Sequence, residues 1–284
     1  MFFRVADIVF HIMSSLNLRV EEPTQDFLVP QTTADITIET EWGDLSQKPE
    51  GRKIFDSGDI WQLYHSGGEY LFSFTSPLLG SIPYKLARIN QDFTTGKILL
   101  HEPYFDHNQP VNPLEYPLDE LLLINFLALG KGVEIHSCGI IDQLGQGRLF
   151  VGQSGAGKTT IAGLFEETEG ITVLSDDRII LRQMGQTLWM YGTPWHGEAG
   201  LASPARAPLS QVYFLEKAAK NELAPQKRAD ALGRLFACSF LPFYSHEGLA
   251  FTLGFLEEVV KTTPCHVLQF LPDRKVIELL EGRR

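Results

Sequence analysis

Over the first hundred residues the apolar positions recur every second residue in short runs, the pattern of half-buried strands rather than helices. Phe2, Ala6, Ile8, Phe10 and Ile12 share one parity and predict a strand at the N-terminus. Arg4, Asp7 and His11 interrupt that stretch, and no small-residue cleavage site follows, so it does not read as a signal peptide. Asp35 to Trp42 alternates in the same way. Asp56-Ser57-Gly58 and Gly67-Gly68 punctuate a hairpin around Ile60 to Tyr64 and Tyr70 to Phe74, and Thr94-Thr95-Gly96 predicts another turn. Together these runs predict an antiparallel, β-rich front portion over residues 1–116.

A looser stretch from Glu102 to Pro117 carries Pro103, Pro110 and Pro113 and marks the expected boundary. A helix then begins near Pro117, with Asp119 and Glu120 in its first turn where the macrodipole favours them, and stops at Gly130. Val133 to Ile141 reads as a strand containing His136. Past a Gly145-Gln146-Gly147 turn, Arg148 to Val151 is a short apolar strand. Strands and helices alternate from here on, so residues 117–284 are expected to form an α/β domain. Its later helices are expected at Gln226 to Phe236 and Glu247 to Lys261.

Composition narrows the possibilities. With 284 residues, 44% of them hydrophobic and 21% charged, the chain has ample material for a core. Acidic residues outnumber basic ones, 35 to 24, and the formal net charge of −11 disfavours a nucleic-acid partner. The terminal Arg283-Arg284 is a basic end, not a nucleic-acid tract. No run approaches the roughly 20 apolar residues of a membrane span; Leu121 to Leu129, interrupted by Asn125, reads as a core helix. Cys138, Cys238 and Cys265 are far apart, without C-x-x-C spacing, which points to a reducing, cytoplasmic setting.

Gly152-Gln153-Ser154-Gly155-Ala156-Gly157-Lys158-Thr159 satisfies G-x-x-x-x-G-K-[ST] at every position, after an apolar strand and before a helical pattern. Glycines let successive backbone N–H groups curl around phosphate oxygens, and the helix N-terminus adds partial positive charge. Lys158 is expected on the β and γ phosphates and Thr159 on Mg²⁺, with Thr160 completing the nucleotide-binding set. No N-K-x-D guanine-reading motif occurs, so ATP is the expected nucleotide.

Ile171 to Leu174 ends in Ser175-Asp176-Asp177. Beside a phosphate loop, one carboxylate can hold Mg²⁺ and the other accept a proton from an attacking hydroxyl; otherwise the pair caps a turn before the hairpin of Ile179 to Leu181 and Thr187 to Met190. His136, in an apolar strand expected beside the loop strand, is either a satisfied core histidine or a group facing the phosphates. His101, Asp106 and His107 fit no metal-binding helix face and read as a solvated loop.

The order His136, glycine-rich loop, Asp176-Asp177 resembles the HPr serine kinase/phosphorylase family, where an L-H-A-S histidine precedes a G-x-S-G-x-G-K-[ST] loop and an Asp-Asp pair follows. Here the matching segments are Ile135-His136-Ser137-Cys138, Gly152 to Thr159 and Leu174-Ser175-Asp176-Asp177, about the middle third of the chain. Cys265 to Asp273 looks like that family's closing strand and turn, and the front β portion also looks like theirs. The resemblance implies a P-loop kinase core of the HPr kinase/phosphoenolpyruvate carboxykinase type. It also implies phosphoryl transfer from ATP with Mg²⁺ to a serine hydroxyl of a small protein or peptide, and a homo-oligomer. By carry-over the catalytic set is Asp176, Asp177, His136 and Lys158, and the metal set Thr159, Asp177 and Glu198. In place of the family's E-x-x-G glutamate segment stands Gly192-Thr193-Pro194-Trp195-His196-Gly197-Glu198, where Glu198 or His196 could substitute, or which could be a surface loop. The arginine-bearing P-x-R-P-G-R-N-like segment is missing, so the resemblance does not extend to reversal of phosphorylation or to HPr itself as the substrate. Arg206, Lys227 and Arg228 are further basic groups without an assigned role. A small-molecule kinase and an ATP-binding regulatory module are the alternatives.

Overall fold

Ala6 and Asp7 both take left-handed backbone angles, φ 52° and 59°. That two-residue turn folds the expected single strand into a hairpin of β1 (Phe2–Val5) and β2 (Ile8–Ser14). The computed structural model describes residues 1–47 and 49–281, so Arg283-Arg284 lies outside the described residues. A single helical turn, α1 (Glu22–Gln25), leads to β3 (Ile36–Gly43), β4 (Arg52–Asp56), β5 (Trp61–Ser66), β6 (Glu69–Ser76), β7 (Gly80–Ile89) and β8 (Thr95–His101). These form one eight-stranded sheet in the order β1-β2-β3-β8-β7-β6-β5-β4. The antiparallel expectation holds from β4 to β8, but β3 lies parallel to both β2 and β8, so the sheet is mixed. The turn expected at Thr94-Thr95-Gly96 comes earlier. Asn90 Oδ1 accepts from the N–H groups of Thr94 and Thr95, Phe93 supplies the left-handed residue, and Gly96 is already in β8. There a Cβ would stand 2.9 Å from the Arg88 carbonyl oxygen, which explains the glycine as a close approach between strands.

The chain divides into two compact units, Met1–Phe126 and Leu127–Arg284. The division falls near the end of α2 (Leu118–Leu127), later than the expected 116/117. The second unit runs β9 (Val133–Ile141), β10 (Gly147–Val151), α3 (Lys158–Glu166), β11 (Thr172–Ser175), β12 (Arg178–Met184), β13 (Thr187–Tyr191), β14 (Arg206–Lys217), β15 (Glu222–Pro225), α4 (Arg228–Ala237), α5 (His246–Thr262), β16 (Cys265–Phe270) and α6 (Lys275–Leu280). Its eight-stranded sheet has the order β10-β9-β12-β13-β14-β16-β15, with β11 beside β9 and a further pairing of β10 with β14.

Period-2 alternation sorts this sheet's residues into two cores. Leu149 and Val151 of β10, with Val212 and Phe214 of β14, pack with Ala231 and Leu235 of α4 and Leu256 and Val259 of α5. The intervening Phe150, Tyr213 and Leu215 pack with Ile161 and Phe165 of α3 and Val276 of α6. Burial of each such Val, Leu, Ile or Phe side chain contributes about 1.5–3 kcal/mol. The chain is thus a mixed α/β protein, its second unit a sheet covered on both faces by helices. Among the described residues no helix is long and apolar enough to cross a membrane.

Candidate functional site

Strand β10 runs parallel to β14, and β14 parallel to β16. At the carboxyl end of β10 the chain enters the glycine-rich loop and then α3. Gly155 and Gly157 take φ values of 79° and 107°, a region that side chains with a Cβ rarely occupy. Gly157 is the N-cap of α3, and a Cβ there would come within 2.6 Å of the Phe270 ring. Lys158, 6% exposed, folds its ammonium back onto the Gly152 and Gln153 carbonyls at 2.9 and 3.4 Å. Burial, more than any neighbouring charge, holds its pKa below the usual lysine range. Ser154, Gly155, Thr159 and Thr160 are exposed around it.

On one flank of this loop lies β9, antiparallel to β10, with Ser137 opposite Val151. The other edge of β9 is shared by β11 and β12, both antiparallel to it, and Asp176-Asp177 fills the break between them. Arg178 stands opposite His136 in this register, and the Ser137 N–H donates to the Asp177 carbonyl at 2.9 Å. Asp177 Oδ1 consequently meets His136 Nε2 at 2.8 Å, while its Oδ2 accepts from Arg178 Nη1. The Arg178 guanidinium lies 5.0 Å over the Phe240 ring, and the His136 ring packs against the same phenyl.

Asp176 is placed differently. It is 1% exposed, and its two oxygens accept from the N–H groups of Gly197 and Ala199 at 2.9 and 3.1 Å. Thr193 Oγ1 and Ser175 Oγ both donate to the Trp195 carbonyl, which ties the same segment down. Glu198 is exposed and lies between the two residues that bind Asp176. His196, also exposed, has its Nδ1 2.9 Å from the Gly197 carbonyl. Asp176 is close enough to Lys158 and Cys138 to bear on both electrostatically. Burial pushes the Cys138 and Cys238 thiols up, so neither is poised as a nucleophile.

On the other flank, beside β14 and α4, a cavity of about 680 Å³ opens. The loop residues Gly152 to Ala156 form one wall; Asp230, Gly233, Arg234 and Ala237 of α4 form the opposite one. Its lining does not include His136, Asp176 or Asp177. The candidate chemistry therefore lies on one side of the loop and the open volume on the other.

The loop fits a phosphate chain: two left-handed glycines, a helix N-terminus and a sequestered ammonium face the same turn. Among the described residues no three His, Cys, Asp or Glu side chains gather as a metal-holding group. Mg²⁺ keeps several waters and takes further ligands from phosphates, so the hydroxyl of Thr159 and a carboxylate of the Asp pair are a suitable hard-oxygen set.

Other expected residues lie apart from this arrangement. His101 does not belong to a solvated loop: it is 3% exposed, its Nδ1 accepts from the Leu45 N–H at 3.0 Å, and its ring meets Tyr104 edge-on. His107 is exposed and stacks on Trp42. Arg206 lies over Trp189 and Tyr191, Lys227 is the N-cap of α4 and Arg228 its first residue. Sequence reading missed Arg178 and Phe240 because their roles depend on strand register. It also missed the Asp230-Gly233-Arg234-Ala237 face, although i, i+3, i+4, i+7 spacing makes it readable.

No protein-family model matches the chain, and no curated protein does. Among solved structures, the HPr(Ser) kinase/phosphatase from Coxiella burnetii is similar to it at 13% identity, over 53% of this chain and 87% of that one, with a TM-score of 0.31. That likeness is distant.

Proposed function

We propose that this chain is an ATP- and Mg²⁺-dependent kinase that transfers the γ-phosphate to a hydroxyl, a serine of a small protein or peptide. The observation that carries this reading is the placement of the glycine-rich loop, with its buried lysine, beside a histidine–aspartate–arginine cluster. A loop that only bound nucleotide would have no use for a proton acceptor at its flank.

Phosphoryl transfer depends on positioning and charge neutralisation more than on covalent participation by the protein. The loop amides and Lys158 bind the phosphate chain. Thr159 and a carboxylate of the Asp pair, with Glu198 on the adjoining segment, would hold Mg²⁺, which would supply charge neutralisation on the phosphates. Asp177, oriented by His136 and Arg178, receives the proton of the attacking hydroxyl, and the adjacent imidazole shares it. Arg178 Nη1 donates to Asp177 Oδ2, which leaves Oδ1 on the His136 side. Asp176 holds the 197–199 segment against the site through its two backbone bonds.

Titration of the protein with ATP·Mg²⁺, beside Lys158→Ala, tests the binding half of this proposal. Saturable binding that the substitution weakens severely is expected. Equal binding by both proteins would remove the phosphate-loop assignment.

A further inference from the structure

Resting on that reading of the loop, we infer that the cavity between the glycine-rich loop and α4 receives the nucleoside half of the nucleotide, with Asp230 on the ribose hydroxyls and Arg234 against the base. In open α/β sheets, ligands lie in the crevice beyond the carboxyl ends of parallel strands. β10 and β14 are adjacent, parallel and end at this cavity, with Phe214, Leu215 and Lys217 of β14 in its lining.

The two flanks then divide the nucleotide. The phosphate to be transferred must lie toward His136 and Asp177, on the β9 side of the loop. The rest of the molecule extends the other way, where about 680 Å³ is open, within the usual 300–1,000 Å³ of small-molecule pockets.

The α4 wall has the chemistry this requires. Arg234 is fixed before any ligand arrives: Nη1 donates to Glu216 Oε1 at 2.9 Å, Nη2 to the Leu215 carbonyl at 3.4 Å, and the guanidinium lies 4.8 Å over the Phe214 ring. A planar cation anchored in this way offers its outer face to a second aromatic plane, and a nucleobase is one. Asp230, one turn earlier on the same helix face, is an exposed acceptor suited to a diol. Gly233 lies between them, and a Cβ built on it meets no heavy atom within 4 Å, so that stretch of wall is open.

The test compares ATP with inorganic tripolyphosphate, which has the phosphates without the nucleoside, by calorimetric titration of the full chain. Asp230→Asn and Arg234→Ala are each expected to weaken ATP by about ten- to a hundredfold, the loss of one interaction with a charged group, and to leave tripolyphosphate unchanged. Gly233→Leu, which removes a helix-weakening glycine and fills the cavity, is expected to do the same without threatening the fold. Lys158→Ala should weaken both ligands. Wild-type ATP affinity in the three cavity variants would overturn the inference while leaving the loop reading intact. So would tripolyphosphate weakened in step with ATP, because Arg234 would then act on phosphate. A wild-type protein that binds neither ligand would end both readings.

Discussion

The two adjacent aspartates differ in what holds them, and their substitutions should differ accordingly. Asp177 is partly exposed and paired with His136 and Arg178; Asp176 is buried and clasps two backbone amides. Asp177→Asn should leave the affinity for metal-free ATP essentially unchanged and slow phosphoryl transfer by about 10²–10⁴, the usual worth of a general base. Asp176→Asn leaves one buried N–H without an oxygen and should cost about 1–3 kcal/mol of stability in denaturant titration. Unaltered transfer by the Asp177 variant would reduce the pair to a turn cap. In the first unit, Lys85 is fully buried, with its ammonium 3.2 Å from Glu115 Oε1 and over the Phe74 ring. Burial lowers its pKa, so in the alkaline range the unfolded chain holds more protons than the folded one and Lys85 makes stability rise with pH. Lys85→Met should remove that contribution, and at neutral pH be no less stable than the parent, or more stable by about 1–4 kcal/mol, since Glu115 remains hydrated. A large loss of stability in Lys85→Met would contradict this.

The loop between β10 and α3 is the element on which the site depends, and its tightest point is Gly157. Gly157→Ala must accommodate both a left-handed backbone and the Phe270 ring. A cost of about 2–4 kcal/mol is expected by thermal or denaturant unfolding, with weaker ATP binding. Phe270→Leu in the same chain should recover only part of it, because it relieves the contact and not the backbone angle. Elements of this kind were legible in the sequence. The Gly67-Gly68 hairpin, the helix ending near Gly130 and the strand–loop–helix at Gly152 are all encoded by local turn chemistry and periodicity. The N-terminal hairpin was not, because Ala6-Asp7 lacks the glycine that such a left-handed two-residue turn usually takes and apolar parity runs straight through it. Nor was the parallel pairing of β3 with β2 and β8, since alternation shows which face of a strand is buried but not which strand lies beside it.

At the scale of the whole molecule, the same distinction decides how much of the candidate site could be read in advance. The loop, Asp176-Asp177 and His136 stand out as residue types, but their grouping is a consequence of sheet order. His136 meets Asp177 because β11 and β12 share one edge of β9 with the aspartates in the break between them. Arg178 enters the cluster through that same register, and Arg234 through the placement of α4 beside the carboxyl end of β14. The net charge of −11 belongs to this scale too, and it argues that any anionic ligand is held by local groups such as Lys158 and the loop amides rather than by a general positive field.

The measurement that tests the central proposal most directly is transfer of label from γ-labelled ATP·Mg²⁺ into a lysate of the source cells resolved by size and charge, with Lys158→Ala as the control. A labelled small protein or peptide, absent from the control and carrying phosphoserine, is the expected result. Demonstrable ATP binding without transfer to any protein would contradict it; continued ATP consumption would then point to a small-molecule acceptor, and none to a regulatory module.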